Sequence, residues 1–469
     1  MIFLHKRLQS EQEHPKNKKD AVLLLKSPCQ GAMKVLFIQP SPYGSDNKPI
    51  KKKQLYFVGL ALPLLAALTP KDWQVEICLE TIEDIPFATD ADIVALSGMG
   101  HSIIRAIHLA QRFRSLGKTV IMGGYMASLM PDETKKHCDA VVIGDAELVW
   151  SQVLQDYQQG CLHPFYEQQL EELDPPLPRY DLLLNKNIGD FLPVQAGRGC
   201  PKSCSFCSVH CLYRNRYYQR PVQAVMRDIC SVQELGFQKF LLLDDNILAH
   251  PAALLKLCEQ IKPLNMTWYS QCSIDIARHP DLLQAVAASG CRVLSFGLES
   301  ISQESLVAMD KGWADPSQYP AMIRTIQDAG IDVSTEMVVG ADGDTKESIA
   351  RTADFIRENK IVVPRFYILT PIPGTDFYAQ MLAQGRICNH DLYSYNGAEA
   401  VHLPQQMRPE ELTTAYWQLY ENVFSLRSIV ERTIFRREFW QRPWDFFLYL
   451  LVNLYYRHHI KKRITPNIF

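Results

Sequence analysis

Eleven short apolar runs recur between residues 34 and 385, mostly separated by helical patterns. A run of four to seven such residues followed by a longer amphipathic stretch marks a strand–helix unit. Repeated units build parallel sheets, because each crossover helix covers one sheet face. The first five runs are Val35–Ile38, Val75–Leu79, Asp92–Gly98, Thr119–Gly124 and Ala140–Gly144, with helices over Leu60–Leu68 and Ile103–Leu116. They predict a doubly wound parallel sheet in residues 34–160. The next six are Leu192–Ala196, Lys239–Leu243, Thr267–Cys272, Val293–Leu298, Val333–Val339 and Arg365–Leu369. With helices over Val222–Leu235, Ala252–Ile261, Pro280–Ala288, Tyr319–Ala329 and Lys346–Asn359, they predict a partial (β/α)6 barrel in residues 193–385. The fold class is α/β, closed by a helical C-terminal part over residues 386–469. Pro175, Pro176 and Pro178 stiffen a connector over residues 161–192. Residues 1–20 are polar and basic, and residues 1–33 read as a disordered extension, with Met33 an alternative start.

Parallel sheets and barrels both place ligands at the carboxyl ends of their strands. In the first sheet these ends carry Ser97-Gly98, Gly123-Gly124, Gly144 and Glu147. Glycine there lets a backbone approach a large ligand closely. In the barrel they carry Asp244-Asp245-Asn246, Gly297-Leu298-Glu299-Ser300, Gly340-Ala341-Asp342-Gly343-Asp344 and Thr370-Pro371-Ile372-Pro373-Gly374-Thr375. Each has a plain structural reading beside the functional one: an acidic helix cap for Asn246 or Glu299, a tight strand-to-helix turn for Gly340.

The first barrel strand runs into Gly197-Arg198-Gly199-Cys200-Pro201-Lys202-Ser203-Cys204-Ser205-Phe206-Cys207. Three thiols spaced C-x3-C-x2-C on a turn-rich loop can hold a [4Fe–4S] cube by three corners. The fourth iron then stays open to a substrate. Cys211 leaves a rival reading, a four-sulfur zinc site, although structural zinc more often uses two separated C-x2-C knuckles.

This loop, with Phe206 before the third cysteine and Arg-Gly-Cys-Pro leading in, resembles the cluster motif of the radical S-adenosylmethionine (radical SAM) enzymes. The resemblance implies that Cys200, Cys204 and Cys207 hold the cube. S-adenosylmethionine on the open iron would yield a 5′-deoxyadenosyl radical on reductive cleavage. It further implies cofactor contacts from Phe206, from Asp244 or Asp245 near the methionine end, from Glu299 at the ribose and from Gly340 at the adenosyl part. The preceding domain resembles the cobalamin-binding domain of cobalamin-dependent members, which would assign Ser97, Gly98, Gly123, Gly124, Gly144 and Glu147 to cobalamin. None of the 13 histidines lies in a D-x-H-x-x-G motif, so cobalt would have no histidine from that motif below it. A vestigial domain without cobalamin is the plainer alternative. The Pro-Ile-Pro-Gly phrase resembles the subfamily that includes the hopanoid methylases.

The implied activity is methyl transfer to an unactivated carbon of a small or lipid-like substrate, with an electron donor such as a flavodoxin or ferredoxin. A cyclase or rearrangement enzyme keeps both cofactors without methyl transfer. A methylthiotransferase would need a second three-cysteine cluster, and residues 34–160 hold only Cys78 and Cys138. A net charge of −2 gives no overall field for nucleic acid, and an odd set of 13 scattered cysteines suits a reducing compartment. With no signal-peptide pattern and no apolar run of about 20 residues, the expected location is cytoplasmic. Near the C-terminus, Arg436, Arg437, Trp440, Arg442 and Trp444 precede Phe446–Val452. This segment reads either as a helix packed on the barrel or as a peripheral membrane contact.

Overall fold

A computed structural model describes residues 32–44, 46–435, 440 and 442–465. Almost all of the extension 1–33, and the arginines Arg436 and Arg437, lie outside the described residues. The first sheet contains β1 (Lys34–Gln39), β2 (Gln74–Leu79), β3 (Ile93–Ser97), β4 (Thr119–Gly123), β5 (Ala140–Ile143) and β6 (Phe165–Glu167). Their order is β2-β1-β3-β4-β5-β6, and every pairing is parallel. Val35 to Ile38 are fully buried, as a central strand covered on both faces requires. The helix Ile103–Ser115 buries Ile103, Ala106, Ala110 and Phe113, one stripe at helical spacing. The stretch 161–192 is more than a connector, since it adds β6 to the sheet edge beside β5.

The second sheet contains β7 (Leu192–Gln195) and, beyond a two-stranded hairpin of β8 (Gly197–Gly199) and β9 (Tyr217–Gln219), five more strands. These are β10 (Lys239–Leu243), β11 (Thr267–Gln271), β12 (Cys291–Glu299), β13 (Asp332–Val339) and β14 (Val363–Ile368). Parallel and in chain order from β7 to β14, the sheet curves without closing, a partial barrel. The alternation of apolar runs and helical stretches therefore gives the two α/β layers it predicts.

Three C-terminal helices, Pro409–Val423, Leu426–Thr433 and Pro443–Ile460, complete the described chain. Tyr420 Oη receives the Phe366 N–H at 3.1 Å and donates to the Phe366 carbonyl, docking the first of them on β14. The last helix lies across the amino ends of β13 and β14. Tyr449 donates to Asp332 at 3.0 Å, Arg442 pairs with Asp332 at 3.2 Å, and Asn453 donates to the Val362 carbonyl at 2.9 Å. That end of the barrel lies opposite the strand ends that carry the candidate site.

Gly340, just past β13, has φ +97°, and a Cβ there would run into Leu412 of the helix Pro409–Val423. We expect Gly340→Ala to lower stability by about 2 kcal/mol or more, from left-handed strain and overpacking together. A reduced urea midpoint at unchanged slope is the check.

Candidate active site

The cysteine loop is an excursion between the strands of the β8–β9 hairpin, in which Gly197 pairs with Gln219 and Gly199 with Tyr217. Two glycines are dictated by crowding. A Cβ on Gly197 would lie 2.6 Å from Asp244 Oδ2 and against the Tyr217 hydroxyl, and Gly199, at φ +87°, has the Arg216 carbonyl against it. Asp245 Oδ2 accepts the Gly199 N–H at 2.6 Å, tying the start of the loop to the end of β10. Tyr217 donates to Asp244 Oδ2 at 2.8 Å, and the Asn246 N–H donates to Asp244 Oδ1. The two aspartates, not separable from sequence, thus have different partners: Asp245 fastens the loop, Asp244 sits beneath it.

Cys204 is buried, and Cys200 and Cys207 are half-buried. The Cys207 N–H donates to the Cys204 carbonyl at 3.0 Å, which folds two of the thiols into one turn. Burial pushes the Cys204 thiol up to about 12, with Lys311 opposing and Cys207, Glu299 and Cys200 adding to the rise. Burial also raises Cys207, against backbone N–H groups of His210 and Val209 that favour its thiolate. Ionising the three thiols together is therefore costly in this poorly solvated loop, and a cationic body held by them would offset that cost. Among the described residues, no three His, Cys, Asp or Glu side chains close on a point that could hold a single metal ion. A cube places each ligand at a separate corner and asks for no such convergence. Cys211, the fourth thiol of the zinc alternative, instead donates to the Gly374 carbonyl at 2.6 Å. Three thiols on one loop, without Cys211, fit an iron–sulfur cube.

Glu299 ends β12 with φ +63°, beside a register shift between Gly297 and Glu299. A buried non-glycine residue in the left-handed region stores strain, which concentrates at functional sites. Lys311 holds it there, with Nζ 2.9 Å from Glu299 Oε1 and 2.5 Å from the Gly297 carbonyl. Burial opposes the Lys311 charge, but Glu299 and Cys204 outweigh it and hold the ammonium above its ordinary value. Both polar groups of the Gly340 backbone are taken up internally. Its N–H donates to Asp344 at 2.8 Å and its carbonyl lies 3.0 Å from His402 Nε2. Phe206 is half-buried and packs on the main core.

In the first sheet, the strand order puts the topological switch point between β1 and β3, beside Ser97-Gly98. The Gly98 N–H donates to the Gly123 carbonyl at 3.1 Å, and a Cβ on Gly124 would come within 2.9 Å of Ser97 Oγ. The Gly144 N–H donates to Ser128 Oγ, and a Cβ on Gly144 would meet nothing. Five of the six predicted residues therefore share one edge, a glycine shelf in which Gly98 and Gly124 make room for Ile103 and Ser97 while Gly144 meets open space. Glu147 has a further task. Its Oε1 lies 2.6 Å from Arg198 Nη1, and Asp145 grips the same nitrogen. Gln195 accepts from Arg198 Nη2 at 2.8 Å, and Tyr213 donates to Asp145 at 2.8 Å. Arg198 stands two residues before Cys200, so this clamp joins the first sheet to the cysteine loop. The Arg-Gly-Cys-Pro phrase contained Arg198, but its acidic partners lie some 50 residues away and no spacing pattern links them.

Between the two strand-end edges lies a cavity of about 630 Å³, lined by Tyr125, Ser208, Gln271, Glu336, Arg365 and Tyr367. Tyr125 follows Gly124, and Ser208 follows Cys207. The residue after the glycine pair and the residue after the third thiol thus line the same space, and burial, then Cys207 and Asp245, push the Tyr125 phenol up. Glu336 and Arg365 form an ion pair in its wall. Sequence reading missed these lining residues, because inward-facing positions of β13 and β14 carry no local signal of what they face.

Residues 194–356, which include all three loop thiols, match the model of the Radical SAM superfamily. That stretch of the chain is a radical SAM domain. The chain is 28% identical over 449 residues to a bacteriochlorophyllide d C-12(1)-methyltransferase of Chlorobaculum tepidum, covering 93% of this chain and 95% of the relative. It is 24% identical to a hopanoid C-2 methylase of Rhodopseudomonas palustris, over 70% of this chain and 65% of the relative. Its fold is shared with the radical SAM methyltransferase TsrM of Kitasatospora setae, described with cobalamin and a [4Fe–4S] cluster bound. That likeness has a TM-score of 0.59 at 18% identity and covers 75% of each chain.

Proposed function

We propose that the protein is a cobalamin-dependent radical SAM methyltransferase acting on an unactivated carbon of a small or lipid-like substrate. The observation that carries the reading is the shared cavity, lined by Tyr125 beside the glycine pair of the first sheet and by Ser208 beside the third thiol of the barrel loop. When bound, the cluster, S-adenosylmethionine and cobalamin would supply the electron, the 5′-deoxyadenosyl radical and the methyl group.

The chain's residues divide the remaining work. Cys200, Cys204 and Cys207 hold the cube by three corners. Asp244, buried at the end of β10, accepts hydrogen bonds from the ammonium of S-adenosylmethionine, and Glu299, fixed by Lys311, accepts from the ribose. Ser97, Gly98, Gly123, Gly124 and Gly144 give the corrin a shelf without side-chain bulk. Tyr125, Gln271, Glu336, Arg365 and Tyr367 surround the substrate and orient it by its polar groups. The electron comes from a small carrier such as a flavodoxin or ferredoxin.

The test is anaerobic incubation of reconstituted protein with methyl-labelled S-adenosylmethionine, cobalamin, a reductant and a metabolite extract of the producing cells. Label in a product supports the proposal. Cleavage of S-adenosylmethionine with an altered but unlabelled product moves the protein to the cyclase or rearrangement class.

The role of Asp244 has its own pH signature. Burial first, against hydrogen bonds from Asn246 and Tyr217, raises its carboxyl to about 7. An ionised carboxylate binds a cationic donor more strongly than the neutral acid does. Affinity for S-adenosylmethionine should therefore be full above about 7 and fall up to tenfold per pH unit below it, a dependence that Asp244→Asn removes. Equilibrium binding across that range is the measurement.

A further inference from the structure

We propose that the C-terminal helix Pro443–Ile460 docks the protein on an anionic lipid surface. The helix is apolar on two sides. One side packs inward through Phe446, Asn453, Tyr456 and Ile460. The other presents Trp444, Phe447, Leu448, Leu451, Leu454 and Tyr455 to solvent. Their spacing of three or four residues places them in one continuous stripe. Trp444 is 79% exposed, and Trp440, just before the helix, is 82% exposed. A helix that meets only water and one core would carry polar residues on this side.

Charge decides what covers the stripe. Residues 446–465 hold four Lys or Arg and no Asp or Glu, in a chain of net charge −2. Lys461, Lys462 and Arg463 are exposed at the helix end, beside the half-buried Arg457. Aromatic and leucine side chains flanked by basic ones match the two layers of a bilayer surface, acyl chains below and acidic headgroups above. No described helix is long and apolar enough to cross a membrane, so the contact lies in the interface. Because this helix crosses the amino ends of β13 and β14, docking tethers the protein without covering the cavity at the opposite end.

The test is flotation of the full-length protein with phosphatidylcholine vesicles, with and without phosphatidylglycerol, at low and high salt. We expect binding to the anionic vesicles that weakens at least about tenfold in their absence or at high salt. A blue shift of tryptophan emission should accompany it. Leu448→Glu with Leu451→Glu should abolish flotation, and Lys461→Glu with Lys462→Glu should reduce it at least about tenfold on anionic vesicles alone. Both variants should keep the wild-type thermal midpoint, because their side chains face away from the core. Failure of the wild type to float on anionic vesicles overturns the proposal. So does a lipid-free dimer that Leu448→Glu with Leu451→Glu dissociates, since the stripe would then join two copies.

Discussion

Cys204→Ser should leave a protein that folds but cannot cleave S-adenosylmethionine. Cys204 is buried between Cys200 and Cys207, and its thiolate is destabilised there by burial and by both neighbours. A serine alkoxide is unavailable at neutral pH and is a poor partner for iron. The loss should exceed the ten- to hundredfold typical of residues one shell further out, so 5′-deoxyadenosine should fall by more than about a hundredfold. The brown absorption of the reconstituted cluster should vanish with it. Cys211→Ser separates this reading from a four-thiol site. The Cys211 thiol is engaged with the Gly374 carbonyl, so its replacement should leave both cluster and cleavage in place. If Cys211→Ser abolished the chromophore as fully as Cys204→Ser, the three-cornered cube would be wrong.

Arg198→Met should have the second large effect, and of a different kind. The guanidinium is half-buried between Asp145 and Glu147, with Tyr213 also bonded to Asp145. Burial opposes its charge, but the two carboxylates win and hold it above its ordinary range. Removing it leaves two carboxylates facing each other in a poorly solvated joint, at a cost of about 3–5 kcal/mol. The thermal midpoint should fall accordingly. Adding Glu147→Gln removes one stranded charge and should recover part of the loss. The joint also connects the glycine shelf to the thiol loop, so transfer of labelled methyl should suffer more than cleavage of S-adenosylmethionine. Equal loss of both would make Arg198 a stabiliser with no part in aligning the two halves.

The strand–helix alternation and the C-x3-C-x2-C loop were legible because both are local. A buried parallel strand such as Val35–Ile38 must be apolar on both faces, and three thiols on one loop need no distant partner. The predicted helices match the observed ones to within about one residue, as with Val222–Leu235 against Val222–Glu234. Strand β6 escaped notice because three residues at a sheet edge, Phe165–Glu167, carry too short a period to read.

What the chain order determined by itself is the pair of parallel sheets and the thiol loop at the mouth of the second. Periodicity and cysteine spacing are properties of neighbours along the chain. Only the tertiary structure decided that Glu147 turns toward Arg198, that Asp245 ties the loop, and that Lys311 pins a strained Glu299. Each of these pairs closes a loop between separate elements. A charged side chain's partner is set by which surfaces pack together, and packing is a property of the folded molecule.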